Sequence, residues 1–299
     1  MRSCRDVRNA SAPSTAHVCD PPEAFILETE RIMRLNAKNE NIRIGDMDCD
    51  YISFGTGKEV LIMLPGVGDG LKTAKGMAIP FSVMYKCYAE QYKVYLFSRR
   101  NNLPAGFTTK GMAEDLNSIL EKIGIVSANV LGVSQGGMIA QELAIHHPDK
   151  VKRLVLAVTA SKPNDTMRNT LDTWLSMLDR DDYRGFMIDS AKRAYTGEYL
   201  KRGIKLNSLI AGVKPKDYTR FRILCNSCLE HNSYDDLIKI ACPTLLIAAD
   251  QDKVLGAEAS VEMKERIPDS KLYMYKGYSH GVYEQAKDFN GRVMRFLAQ

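Results

Sequence analysis

Residues 130–138 read V-L-G-V-S-Q-G-G-M, with Gly132, Ser134 and Gly136 at alternate positions. An apolar run over 128–133 precedes the serine and an amphipathic run over 138–146 follows it. This order predicts a strand, a sharp turn and a helix. A serine held on such a turn needs small residues two positions before and after it, because a Cβ at either place would strike the turn's own backbone. The turn lifts the hydroxyl clear of the sheet edge. The helix beginning at Gln135 then aims N–H groups and a positive dipole end at any negative charge forming there. A glycine-rich turn that merely packs a helix on a sheet is the plainer reading, and the rest of the chain weighs against it.

Strand and helix signals alternate on both sides of this turn. Upstream, 42–47, 49–54 and 60–64 read as short strands. The last runs into a glycine-rich loop, 65–70, expected to be neither helix nor strand. A helix over 75–90, a strand over 93–97, a polar loop over 98–102 and a helix over 112–123 lead to the serine. Downstream, Pro148 stops the helix and 151–158 is a strand. From 161 to 238 only helical periods occur, which predicts an insertion of four to five helices. A strand over 243–249, a helix over 257–267, a strand over 271–275 and a closing helix over 281–297 resume the rhythm. Near-continuously apolar strands separated by helices imply an α/β fold with a doubly wound, mainly parallel central sheet and a helical cap insertion. The chain thus divides into a loose N-terminal arm (1–24), a core (25–160 and 239–299) and a cap (161–238), with a short helix expected over 25–36.

The 299 residues are 45% hydrophobic, enough for one sizeable α/β core. The 41 basic residues outnumber the 36 acidic ones but are scattered rather than striped, so no nucleic-acid groove is expected. No run approaches the ~18 apolar residues of a membrane span. Seven irregularly spaced cysteines (Cys4, Cys19, Cys49, Cys87, Cys225, Cys228 and Cys242) read as reduced thiols rather than a disulfide framework. The first residues lack an apolar secretory segment. A cytoplasmic protein acting on a small molecule is expected, and association with further copies of the chain is left open. Cys225-x-x-Cys228-x-x-His231 has the spacing of one helix face without a second ligand pair, so it reads as packing. No metal or cofactor is expected.

In a parallel sheet, ligands sit beyond the carboxyl ends of the strands. Loops there carry Ser134, the pair Asp250 and Asp252, the stretch 277–280 and the loop 65–70. A serine hydroxyl is a weak nucleophile without a histidine base, and that base needs a carboxylate to fix its tautomer. Of five histidines, only His280 lies on such a loop. His17 is in the arm, while His146 and His147 end a helix, where a cation suits the dipole.

The chain resembles the α/β-hydrolase fold family in L-G-V-S-Q-G-G-M-I-A-Q-E-L-A around Ser134, in the H-P-D-K-V-K-R-L-V-L that follows, in P-T-L-L-I before the aspartates and in the tail G-Y-S-H-G…F-N-G-R-V-M-R-F-L. The likeness runs from about residue 42 to 297, the insertion excepted, and is of the capped, esterase- or haloperoxidase-like kind. It implies Ser134 as nucleophile, Asp252 as acid and His280 as base, with the backbone N–H groups of Val67 and Gln135 as oxyanion hole. Two departures stand out. The oxyanion loop opens with Pro65-Gly66 where the family usually has His-Gly, and Ala249 replaces the glycine of the family's G-x-x-D. Asp250 therefore remains an alternative acid, and Asp165 a third. Within the cap, Trp174, Met177 and Tyr195 are candidate substrate contacts. Arg99 and Arg100 read as a solvated pair. The implied activity is hydrolysis of an ester- or thioester-type acyl bond in a small, largely apolar molecule. The same triad in a drier cleft also serves acyl transfer, carbon–carbon hydrolysis or cofactor-free perhydrolysis, and a non-catalytic ligand receptor is the remaining alternative.

Overall fold

A computed structural model describes residues 35–299. The arm, and all but the end of the helix expected over 25–36, lie outside the described residues. Eight strands form one sheet: β1 (Lys38–Ile44), β2 (Met47–Phe54), β3 (Glu59–Leu64), β4 (Tyr92–Phe97), β5 (Ala128–Val133), β6 (Val151–Ala157), β7 (Thr244–Ala249) and β8 (Ser270–Tyr275). Their spatial order is β1-β2-β4-β3-β5-β6-β7-β8, antiparallel across β1, β2 and β4 and parallel from β4 to β8. The first hairpin corrects the expected strand over 42–47. Ile44 pairs with Met47 across a two-residue turn, which Gly45 permits with φ 58°.

The inner parallel strands β3, β5, β6 and β7 are largely apolar because both their faces are covered, whereas the edge strand β1 is polar and mostly exposed. Along β3, Leu61 and Met63 enter one core with Phe289 and Val293, while Ile62 and Leu64 enter the other with Leu116, Ile139 and Leu143. That is the period-2 alternation of a sheet buried twice. One face carries α2 (Thr109–Lys122), α3 (Gln135–His146) and α8 (Glu258–Arg266); the other carries α1 (Ala78–Met84) and α10 (Phe289–Leu297). The stretch 75–90 is shorter as a helix than its periodicity implies: α1 ends at Met84 and a 3-10 turn, Lys86–Tyr88, follows. The closing helix is likewise broken, into α9 (Val282–Gln285) and α10.

Between β6 and β7 lie α4 (Asp165–Asp179), α5 (Tyr183–Ala194), α6 (Gly197–Ile210) and α7 (Thr219–Glu230), then a 3-10 turn, Tyr234–Lys239. They bury a separate cluster in which Trp174, Phe186 and Phe221 meet edge to face. The parallel register brings Leu64 level with Gly132, Val133 with Ala157, and Ala249 with Tyr275. The loops after these strands therefore emerge along one edge, beneath the inserted helices.

Candidate active site

Ser134 sits between β5 and α3 with φ 55° and ψ −123°, a conformation L-residues rarely hold. Such strain costs on the order of 1–3 kcal/mol and persists only where the surroundings dictate it. Here the Ser134 N–H donates to the Ala157 carbonyl at 3.0 Å, and the Ser134 carbonyl accepts from the Gly137 N–H at 2.8 Å and the Thr159 hydroxyl at 2.7 Å. The glycines leave no alternative. A Cβ on Gly132 would lie 2.5 Å from the Gly136 carbonyl oxygen, and one on Gly136 would lie 2.0 Å from that of Leu64.

Asp252, after β7, places Oδ2 2.9 Å from His280 Nδ1. Its Oδ1 accepts the N–H groups of Val254 at 2.8 Å and Leu255 at 3.0 Å. Burial pushes the Asp252 carboxyl up. The charge and hydrogen bond of His280 and the two N–H groups outweigh it, and the net position is below the ordinary value. Asp250 turns elsewhere: its Oδ1 accepts the Gly277 N–H at 2.7 Å and its Oδ2 is 3.9 Å from Lys276 Nζ. Asp165 is exposed in the first turn of α4. The His280 loop is held from the insertion, where the last two residues of α5 accept bonds: Ser279 Oγ donates to the Arg193 carbonyl at 2.5 Å and the Gly281 N–H to that of Ala194 at 2.7 Å.

Residues 67–70 correct the expectation of an irregular loop, since Val67–Gly70 forms a 3-10 turn. It closes on the serine: a Cβ on Gly66 would lie 3.2 Å from Ser134 Cβ. Val67 lines the cavity above Ser134, and Gln135 opens α3, where helix geometry leaves the first N–H groups without intrahelical acceptors. The Gln135 side chain is fully buried. Its Oε1 accepts Arg99 Nη2 at 3.1 Å, and its Nε2 donates to the Leu224 carbonyl at 2.8 Å and Ser227 Oγ at 2.9 Å on α7. Arg99 Nη2 also donates to the Pro65 carbonyl at 2.5 Å.

The solvated arginine pair expected over 99–100 is thereby corrected. Arg99 is 5% exposed, and burial lowers its pKa against the pull of Asp69. Arg100 forms an ion pair with Asp115, its Nε 2.7 Å from Oδ2. Arg220 of α7 completes the arrangement through a 2.6 Å ion pair with buried Asp69 and bonds to the carbonyls of Asp69, Arg99 and Arg100. Arg99, Asp69, Arg220 and Thr159 escape sequence reasoning because no local pattern joins them; the Arg220–Asp69 partners are 151 residues apart.

Ser134 and His280 open into a cavity of about 510 Å³ walled by residues such as Leu131, Met138, Trp174, Phe186 and Tyr195. That volume is ordinary for a small-molecule site. Of the three candidate contacts in the insertion, Trp174 and Tyr195 line it, whereas Met177 packs against the insertion's own core. Trp174 Nε1 donates to Asp189 Oδ2 at 2.9 Å, and the Tyr195 hydroxyl donates to Glu284 Oε2 at 2.5 Å, which leaves ring faces rather than polar edges for a ligand. Cys225 and Cys228 are buried in α7, where burial pushes both thiols up, Cys228 to about 12. His231 is bonded to the hydroxyls of Thr109 at 2.8 Å and Ser233 at 3.2 Å. No helix among the described residues is long and apolar enough to cross a membrane.

The chain is 24% identical over 253 residues to a protein of Caulobacter sp. (strain K31) named, provisionally, as the carbamate hydrolase RutD, covering 81% of this chain and 91% of the relative. It is 23% identical over 258 residues to the 2-hydroxy-6-oxononadienedioate/2-hydroxy-6-oxononatrienedioate hydrolase of a Pseudomonas species, covering 82% and 90%. Among solved structures it is similar to MGS-M2, an alpha/beta hydrolase enzyme from a Medee basin deep-sea metagenome library, with a TM-score of 0.77 at 19% identity over 87% of this chain and 98% of that one. The profile of the alpha/beta hydrolase fold matches residues 59–287, well over half the chain. The chain belongs to the alpha/beta hydrolase fold family and is an enzyme of the hydrolase class.

Proposed function

We propose that this hydrolase cleaves an ester- or thioester-type acyl bond of a small, largely apolar molecule through a Ser134–His280–Asp252 triad and an acyl-enzyme. The observation that carries the reading is the 2.9 Å bond from His280 Nδ1 to the buried Asp252 carboxylate, on a loop that shares one cavity with the strained Ser134. With Nδ1–H donated to Asp252, Nε2 is the nitrogen left to take a proton. In this mechanism His280 Nε2 accepts the Ser134 Oγ proton as the oxygen attacks the substrate carbonyl. The carbonyl π pair moves to oxygen, and the N–H groups of Val67 and Gln135 hold that oxyanion. His280 returns the proton to the leaving group as the tetrahedral intermediate collapses to the acyl-enzyme. Water, deprotonated by His280, then attacks the acyl carbon and Ser134 departs with the proton. Asp252 stays ionised and holds the imidazolium. The helices of 161–238 act as a cap whose Trp174 and Tyr195 rings bound the acyl pocket.

A fluorophosphonate probe applied to wild type and Ser134→Ala tests this. Covalent labelling confined to wild type is expected, with p-nitrophenyl ester hydrolysis lost in parallel. Equal labelling of both proteins, or hydrolysis that survives in Ser134→Ala, overturns the triad.

A further inference from the structure

The fold leaves apolar side chains uncovered on two helices that each contribute a residue to the cavity lining. Leu206, Leu209 and Ile210 on α6 are 58%, 71% and 45% exposed, and Val213 just beyond it is 85% exposed. On α1, Ile79 and Met84 are 58% and 60% exposed. Single exposed apolar residues are ordinary, but these fall at helical spacing into one stripe along α6. Gly203, on the neighbouring face of α6, is buried, and Asn207 on that face lines the cavity, as Met84 does on α1. Both helices therefore border the cavity.

The charges around them are mainly of one sign. Lys201, Arg202 and Lys205 are exposed beside the stripe, Lys214 and Lys216 follow it, and Lys75 and Lys86 bracket α1. The acidic residues nearby are fewer: Glu198 and Asp181 engage Lys201 and Lys214, Glu284 on the cavity lining accepts from the Tyr195 hydroxyl, and Asp217 is exposed. An apolar stripe flanked by lysines and arginine suits the headgroup layer of an anionic bilayer, where the apolar side chains sink among acyl chains and the cations meet phosphates.

We infer that this rim docks on an anionic lipid surface, with the cavity mouth facing the bilayer so that an apolar substrate enters from the lipid phase. Delivery of substrate rests on the serine-hydrolase reading; docking itself does not.

The test uses the full chain carrying Ser134→Ala, floated with phosphatidylcholine vesicles with or without phosphatidylglycerol. Binding roughly tenfold stronger to the anionic vesicles, and lost at high salt, is expected. The double variant Leu209→Glu, Val213→Glu should abolish it while leaving hydrolysis of a soluble p-nitrophenyl ester unchanged in a Ser134-intact chain; both positions are exposed, so the fold tolerates the change. Equal or absent binding to the two vesicles overturns the inference. A solution dimer that the double variant converts to monomer also overturns it, assigning the stripe to a second copy. Failed flotation beside successful fluorophosphonate labelling removes the docking surface alone, and the converse removes the catalytic reading alone.

Discussion

Replacing Arg220 by alanine removes one half of a charge pair whose other half cannot leave. The Asp69 side chain is 2% exposed and that of Arg220 18%. Wild-type Asp69 Oδ2 meets Arg220 Nη2 at 2.6 Å and the Arg99 N–H at 3.0 Å. In Arg220→Ala only the second remains. The carbonyls of Asp69, Arg99 and Arg100 also each lose a donor, formerly at 3.1, 2.9 and 2.5 Å. Stranding one member of a buried pair costs about 3–5 kcal/mol. Water entering the partly open arginine side moderates this, so about 3 kcal/mol is expected, or roughly 5 °C in Tm for a chain of this length. Urea melts of wild type, Arg220→Ala, Asp69→Asn and the double variant measure it. The cycle should give a coupling of about 1–3 kcal/mol, with the double variant more stable than Arg220→Ala alone. Because Asp69 and Val67 belong to the same 3-10 turn, kcat on p-nitrophenyl esters should fall with KM little changed. An Arg220→Ala protein within about 1 kcal/mol of wild type would refute the argument, since it would mean that Asp69 is hydrated without its partner.

Asp252→Asn should lower kcat by on the order of 10⁴, through loss of the correct His280 tautomer, whereas Asp250→Asn should stay within about tenfold of wild type; a reversed ranking of the two in steady-state kinetics would transfer the acid role to Asp250. Gly136→Ala should yield little folded protein, because its Cβ would lie 2.0 Å from the Leu64 carbonyl oxygen; a soluble variant with a wild-type melting curve would show that the turn can move. The depressed pKa of Asp252 means that its ionised form contributes its full stabilisation above the ordinary carboxylate value, about pH 4. That contribution fades as pH falls through the lower native value. The stability difference between wild type and Asp252→Asn should therefore narrow only below about pH 4, and urea melts in which it has already vanished at pH 5 would contradict the assigned pairing.

The parts of the site legible in the sequence are those governed by local sterics. Gly132, Ser134 and Gly136 announce a tight turn because the constraint acts among backbone atoms a few residues apart and against one neighbouring strand. Alternating apolar runs likewise announce a doubly covered parallel sheet, and the chemistry a serine needs selects His280 from five histidines. Local pattern fails where a side chain's fate depends on distant partners. Arg99 looks like half of a solvated pair, yet the elbow residue Gln135 and the carbonyl of Pro65 take up its guanidinium inside the protein. Met177 shares the helical period of Trp174, but the packing of α4 turns Trp174 and Leu171 to the cavity and Met177 away from it. Asp250 and Asp252 are two residues apart and chemically identical; the path of the chain after β7 gives one to His280 and the other to the Gly277 N–H. By itself, then, the sequence determined the sheet, the strained serine turn and the residue types available at its edge, because these follow from periodicity and from clashes between near neighbours. Tertiary structure alone decided which aspartate meets the histidine, which arginine is buried and which side chains bound the cavity, because those outcomes are set by contacts between segments as many as 151 residues apart.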